Sequence, residues 1–275
     1  MSLPSTPASE QDAIDLHVNG KLTVIGTGIA GPAHLSAQSR AALEAAERVF
    51  FLVADPLSRE WLLELRPDAE DLSDCYRTGR ERADSYAEMV ERLLDAVRSG
   101  SRICAAFYGH PGVFAFPSHE AVRRARAEGC EARMLPAISA EDCLFADLGV
   151  DPGAAGCQSF EATDFLVRRR RFDPTAGLVL WQVGVIAVAD HRDAELWNPD
   201  GLRVLTEVLL ESYPPGHPVV VYEATTLPIT DPKRFETALA ALPEAPVTAL
   251  STLWVRPLPS PEPDPGMLRR LGLAG

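Results

Sequence analysis

The sequence has few positive charges for its length. It contains 26 lysine and arginine residues against 39 aspartate and glutamate residues, which gives a formal net charge of −13. A surplus of negative charge opposes binding to nucleic-acid phosphates and to anionic membrane surfaces. We therefore expect neither nucleic acid nor a membrane among the partners of this protein.

Paired cysteines and long apolar runs are also missing. None of the five cysteines forms a CxxC pair, so we predict reduced core thiols in a cytoplasmic protein and no metal site. No apolar stretch is long enough to span a bilayer. Residues 1–19 lack the apolar centre of a signal peptide and predict a flexible leader.

The central stretch of the chain runs from Ser101 to Phe116. An apolar strand over 102–107 is followed by Tyr108-Gly109-His110-Pro111-Gly112. Glycine lets a backbone approach a ligand closely and proline stiffens a turn, so this pattern predicts a loop at the edge of a ligand cleft. An ordinary turn between a strand and a helix would have a similar composition.

A second glycine-rich loop, Gly26 to Gly31, follows the first predicted strand. Its G-x-G-x-x-G spacing, with Asp55 24 residues beyond Gly31, is typical of dinucleotide-binding folds. However, Pro32 stands where the phosphate-binding helix would already have begun, and the next helix is predicted from Ser36. We therefore favour a ligand-facing loop of another kind over a nicotinamide site.

Two tyrosines and an arginine are grouped before and within the predicted helix that begins near Arg82. Arg82 and Tyr86 are four residues apart and share a helix face, and Tyr76 lies in the polar loop before them. Packing tyrosines and a solvated arginine would give the same pattern.

Further candidate residues lie in the second half of the chain. Ser139 is predicted to cap a helix whose free N–H groups could hold a carboxylate or ribose oxygen, although a plain cap is equally compatible. Gln182 and Glu223 end apolar strands, where open sheets bind ligands. The segment 235–242 is predicted to be helical, and residues 257–265 form a proline-rich extended tail.

Several motifs together resemble one family. The segments GTGIAG, YGHPGVF, LPAISAEDCLFADLGVDP, GCQSFEATDFL, LWQVG, VVVYEATTLP and STLWV occur in the order found in enzymes of the tetrapyrrole methylase fold. In detail they resemble the borosin peptide-backbone α-N-methyltransferases over residues 20–257. His110 stands where precorrin-type relatives usually carry aspartate, and Ala137 replaces a glycine that is usual in the family.

The resemblance implies an α/β fold with two α/β domains, over 20–135 and 136–256, and a tail over 257–275. It implies a homodimer that binds S-adenosyl-L-methionine in the cleft between the domains and releases S-adenosyl-L-homocysteine. It also implies iterative methylation of backbone amides in a ribosomally made peptide. We expect the split type, which acts on a separate precursor peptide with a leader and an apolar core. The alternatives are a small-molecule methyltransferase of the tetrapyrrole type and a binding module without activity.

Methylation of an amide requires activation of its nitrogen, whose lone pair is delocalised into the carbonyl group. A tyrosine could act as the base if a neighbouring arginine lowered its pKa. The catalytic positions that the resemblance implies are Tyr76, Arg82, Tyr86 and Tyr108. The cofactor-binding positions that it implies are Tyr108, His110, Val113, Phe114, Ser139, Ala140, Gln182, Glu223, Ala224, Ser251 and Thr252.

Overall fold

Two five-stranded sheets organise the chain. The computed structural model of the protein describes residues 20–53, 55–190, 198–227 and 229–273, so the predicted leader over 1–19 lies outside the described residues. The predicted α/β fold is confirmed by these two sheets and the helices that cover them.

The first sheet is parallel and has the strand order β3-β2-β4-β1-β5. Its strands are β1 (Lys21–Gly26), β2 (Arg48–Leu52), β3 (Glu70–Asp71), β4 (Arg102–Phe107) and β5 (Glu131–Met134). The two central strands, β1 and β4, are almost continuously apolar and buried, as expected for a parallel sheet with helices on both faces. Their carboxyl ends therefore deliver the two glycine-rich loops to the same edge.

Four helices cover this sheet: α1 (Ala37–Ala45), α2 (Pro56–Leu65), α3 (Arg82–Arg98) and α4 (Phe116–Ala127). The apolar residues of α3 recur at helical spacing, and Met89, Leu93 and Leu94 are fully buried in the core beneath it. Leu43 of α1 and Leu62 of α2 belong to a separate core cluster of the same sheet. The predicted start of α1 is confirmed, because the Ser36 hydroxyl caps it by accepting from the N–H of Ser39.

The second sheet is mixed and has the order β6-β7-β10-β8-β9. Its strands are β6 (Cys157–Glu161), β7 (Gly177–Trp181), β8 (Pro218–Glu223), β9 (Lys233–Ala238) and β10 (Thr252–Val255). Only β6 and β7 pair in parallel; β10 pairs antiparallel with both β7 and β8. The remaining helices are α5 (Ala140–Leu148), α6 (Pro152–Ala155), α7 (Ala162–Val167), α8 (Pro199–Leu210) and α9 (Pro265–Arg270).

The helix predicted over 235–242 is wrong. Residues 233–238 form the edge strand β9, which pairs in register with β8, and a 3-10 turn follows at Leu239–Glu244. The alanine- and leucine-rich composition favours a helix locally, but pairing with β8 satisfies the backbone groups of this segment in an extended form. Pro243 then prevents a longer α-helix.

Close backbone contact holds the two glycine-rich loops together. The N–H of Gly28 donates to the carbonyl of Gly109 at 3.2 Å, and Gly109 returns a bond at 3.0 Å. A Cβ atom at Gly26 would lie 2.1 Å from the carbonyl oxygen of Gly109, so no larger residue fits there without displacement. None of the helices in the described ranges is long and apolar enough to cross a membrane.

Candidate functional site

A cavity of about 580 Å³ lies between the carboxyl edge of the first sheet and the second sheet. This volume is within the range of small-molecule and cofactor sites. Loops from both sheets line it, and most of its wall is apolar. The structure therefore places a cleft where the central loop predicts one.

All but two of the predicted site residues line this cavity. Those that do so are Tyr76, Tyr86, Tyr108, His110, Val113, Phe114, Ser139, Ala140, Gln182, Glu223, Ala224 and Thr252. The exceptions are Arg82 and Ser251. Ser251 is fully buried and donates to Glu223 on the cavity wall, and Arg82 is the first residue of α3. The structure brings the predicted residues together, and their individual roles remain predictions.

The central loop is fixed by its own hydrogen bonds. The N–H of Tyr108 donates to the carbonyl of Leu52 at 2.9 Å, which ties the ends of β4 and β2 together. The Nδ1 atom of His110 accepts from the N–H of Gly112 at 2.9 Å, and this bond leaves Nε2 as the protonated nitrogen when the ring is neutral. Tyr108 therefore projects into the cavity from a rigid turn.

Two residues with unusual backbone conformations face each other across the cleft. Phe114, from the first half of the chain, has φ of 51°, and Gln182, from the second, has φ of 58°. Non-glycine residues rarely adopt this region, and such strain is concentrated at functional sites. The ring of Phe114 lies 5.4 Å from that of Trp181, measured between centroids. These aromatic faces offer a stacking surface for a flat ring.

The tyrosine pair is packed edge to face. The ring centroids of Tyr76 and Tyr86 are 6.3 Å apart at 77°, and Phe116 lies 6.2 Å from Tyr86. Burial raises the pKa of Tyr76 well above its ordinary value, and its contact with Tyr86 raises it further, whereas the charge of Arg82 lowers it by less. A tyrosine base requires that a neighbouring arginine lower the tyrosine pKa overall, and Arg82 does not do so for Tyr76. Tyr76 is a neutral hydroxyl at physiological pH.

Tyr108 is also held in its neutral form. Burial raises the pKa of its hydroxyl to about 12, and the negative charge of Asp55 contributes in the same direction. A protonated tyrosine can donate one hydrogen bond and accept others. Tyr76 and Tyr108 are thus suited to donate to a developing negative charge or to relay a proton.

Arg82 is anchored through its backbone. Its N–H donates to the carbonyl of Ala189 at 3.3 Å, and Glu81 forms a β-bridge with Asp190. These contacts join the start of α3 to the segment that follows β7. The half-buried Arg82 reaches Tyr76 electrostatically, although it does not line the cavity itself.

Asp55 lines the cavity, although the sequence suggested it only as the acidic residue of a dinucleotide-like spacing. One carboxylate oxygen, Oδ1, caps α2 by accepting from the N–H of Ser58 at 2.9 Å. The other, Oδ2, is buried and has no hydrogen-bond partner within the described part of the chain. An unpaired buried oxygen is costly, so its retention beside Tyr108 points to a function. Its position directly after β2 was the available sequence signal.

Trp181 and Tyr222 were also missed. Each lies next to a predicted residue, Gln182 or Glu223, at the end of an apolar strand. Trp181 donates from Nε1 to the Ser159 hydroxyl at 2.6 Å. An aromatic residue at the end of an apolar strand normally packs in the core, so the sequence did not indicate that Trp181 and Tyr222 line the cavity.

Ser139 caps α5 through a reciprocal capping box. Its hydroxyl accepts from the N–H of Asp142 at 3.3 Å, and its own N–H donates to the Asp142 carboxylate at 2.7 Å. The plain cap that the sequence predicts is therefore present, and because Ser139 also lines the cavity, the predicted ligand contact stays a prediction. No cluster of three or more potential metal ligands occurs among residues 20–53, 55–190, 198–227 and 229–273.

Comparison with known proteins identifies related chains. Residues 21–243 match the family described as Tetrapyrrole (Corrin/Porphyrin) Methylases. The methyltransferase/ribosomally synthesized cyclic peptide gymnopeptides precursor of Gymnopus fusipes is 42% identical over 92% of this chain and 61% of its own length. The corresponding omphalotin A precursor of Omphalotus olearius is 39% identical over 92% of this chain and 62% of its own length. The chain thus spans about three fifths of these relatives.

Solved structures share the fold. The uroporphyrin-III-C-methyltransferase from Thermus thermophilus superimposes with a TM-score of 0.61, at 22% identity, over 89% of this chain and 99% of that one. A cobalt precorrin-4 methyltransferase also has a TM-score of 0.61, at 18% identity, over 87% and 95% of the two chains. At these identities the likeness shows the common fold alone.

Proposed function

Because this chain belongs to the tetrapyrrole methylase family, we propose that it is an S-adenosyl-L-methionine-dependent enzyme that methylates backbone amides of a ribosomally made peptide. The relatives at about 40% identity are named as methyltransferases and cyclic peptide precursors, which supports a peptide substrate. The observation that carries the proposal is the convergence of Tyr76, Tyr86 and Tyr108 with the central loop on one cavity.

The cavity fits the proposed cofactor. Its volume, the Gly109 backbone in its wall, and the aromatic faces of Phe114 and Trp181 suit an adenosine group. When bound, S-adenosyl-L-methionine supplies an electrophilic methyl group.

The residues of this chain would then orient and activate the amide. The Tyr76 hydroxyl, held neutral by burial, donates a hydrogen bond to the amide oxygen and favours negative charge on it. The positive charge of Arg82 acts in the same direction. Phe114 and Trp181 make much of the cavity wall apolar, and less polar surroundings strengthen these interactions.

Removal of the amide proton needs an acceptor. Among the described cavity residues, Glu223 is a carboxylate engaged by three side chains, whereas Asp55 retains an unengaged oxygen. We infer that peptide binding brings the Tyr108 hydroxyl into contact with Oδ2 of Asp55, which has no other partner within the described residues. The proton then moves from the amide nitrogen to the Tyr108 hydroxyl oxygen while the Tyr108 proton moves to Oδ2. The relay leaves a neutral tyrosine and a neutral carboxylic acid.

The experiment combines ligand binding with mass spectrometry. Titration calorimetry should show binding of S-adenosyl-L-methionine and none of a nicotinamide dinucleotide. Co-expression with a candidate apolar precursor peptide should add methyl groups to that peptide. Methylation of a tetrapyrrole and of no peptide would favour the small-molecule alternative, and methylation of the enzyme itself would contradict the prediction of a separate substrate.

A further inference from the structure

The carboxylate of Glu223 is saturated by protein donors. Glu223 ends β8 on the cavity wall, yet its side chain is only 8% exposed. Its Oε1 atom accepts from the hydroxyls of Thr248 at 2.5 Å and Ser251 at 2.7 Å, and Oε2 accepts from Nζ of Lys233 at 2.7 Å. Burial opposes ionisation, but these three donors together lower the pKa of Glu223 below its ordinary value.

Two of those donors belong to a turn over residues 248–251, before β10. The Ser251 hydroxyl accepts from the N–H of Thr248 at 2.8 Å, and the N–H of Ser251 donates to the Thr248 carbonyl at 3.0 Å. This turn supplies Ala249 and Leu250 to the cavity wall, and Leu250 is 73% exposed. Few apolar contacts therefore hold the tip of the turn in place.

The turn also packs against the backbone of the neighbouring loop. A Cβ atom at Gly184 would lie 2.0 Å from the carbonyl oxygen of Thr248, so the two segments fit only with glycine there. The N–H of Val183 donates to the Ser251 carbonyl at 3.3 Å. A shift of the turn would consequently move the segment that carries Gln182, another cavity residue.

We propose that Glu223 is a positioning residue: its carboxylate clamps the 248–251 turn to β8 and β9 and so holds this part of the cleft wall in place. The test of this inference by S-adenosyl-L-methionine affinity rests on the proposed function, whereas the test by hydrogen exchange does not. The resemblance implies that Glu223 contacts the cofactor directly. We assign its carboxylate instead to holding the 248–251 turn. Lys233, with a side chain 76% exposed, fastens the clamp from the edge strand.

A double-mutant cycle separates clamping from direct contact. Glu223→Gln keeps the size of the side chain but removes its charge, and we expect it to weaken S-adenosyl-L-methionine binding about tenfold, the loss expected for hydrogen bonds to a charged group. In the Thr248→Val/Ser251→Ala background the same substitution should change the affinity less than about threefold, because the clamp is already broken. An equal loss in both backgrounds would overturn the proposal, since Glu223 would then touch the ligand.

Hydrogen exchange tests the clamp without any ligand. In Glu223→Gln the amides of Leu250 and Ser251 should exchange about tenfold faster than in the wild type. The matched control is Glu236→Gln, which breaks an exposed ion pair with Arg256 in the same sheet and should leave those amides unchanged. Unchanged exchange in Glu223→Gln would refute the clamp. A wild-type chain that binds no S-adenosyl-L-methionine would refute the proposed function, while this measurement would still decide the role of Glu223.

Discussion

The substitution Asp55→Asn tests the proton relay with little structural change. Asparagine has nearly the same shape as aspartate and caps helices equally well, so the bond from the N–H of Ser58 at the start of α2 should persist. What changes is the oxygen that has no partner, which loses its negative charge. We therefore expect methyl transfer to slow about 10²- to 10⁴-fold, the usual contribution of a general base, with cofactor affinity nearly unchanged.

The direction of the effect distinguishes two mechanisms. The charge of Asp55 raises the pKa of Tyr108, so its removal lowers that pKa and increases the fraction of tyrosinate. If Tyr108 acted as a phenolate base, Asp55→Asn would speed the reaction. If Asp55 receives the proton, the reaction slows. A single-turnover assay on a fixed peptide measures the rate of the chemical step directly.

A second aspartate in this chain provides the control. Asp264 also precedes a proline and caps a helix, accepting from the N–H of Gly266 at 2.7 Å, but it lies in the tail, away from the cavity. Asp264→Asn should leave the rate unchanged. A rate in Asp55→Asn equal to that of this control, or higher, would refute the relay.

Other predictions address stability and charge. Gly26→Ala should destabilise the protein by about 2 kcal/mol in urea unfolding because its Cβ would overlap a backbone carbonyl of the central loop, whereas Gly216→Ala, in open space, should not. Arg82→Ala should slow methyl transfer about 10²-fold at unchanged cofactor affinity, and Arg82→Lys should recover part of the rate. Hydrogen bonds from Arg80 and a second arginine lower the pKa of Glu88 to about 2, so the stability that it contributes is complete above about pH 4.5 and is lost as the pH falls towards 2. Glu88→Gln should flatten this part of a stability-against-pH curve.

Local sequence signals predicted the first half of the fold well. Strands such as β4 are continuously apolar, α3 repeats its buried residues at helical spacing, and Ser36 marks a helix start. These signals act within a few residues, so the sequence alone contains them. The segment 235–242 was misassigned because its strand form depends on β8, a partner that local composition does not reveal.

The sequence predicted which residues line the candidate site better than it predicted their protonation states and hydrogen bonds. The motifs selected residues that converge on one cavity, because the carboxyl ends of neighbouring strands meet at one edge. The pKa of Tyr76 could not be foreseen, since it depends on burial between elements distant in sequence. The free oxygen of Asp55 and the saturated carboxylate of Glu223 likewise depend on three-dimensional partners.

The proposed transfer of methyl groups to peptide backbone nitrogens can be measured directly. The most direct measurement is tandem mass spectrometry of an apolar peptide after incubation with the purified chain and S-adenosyl-L-methionine carrying an isotopically labelled methyl group. Transfer to backbone nitrogens predicts labelled methyl groups on successive backbone amides and none when Tyr108 is replaced by phenylalanine. Labelled methyl groups on side chains alone, or equal labelling by Tyr108→Phe, would contradict it.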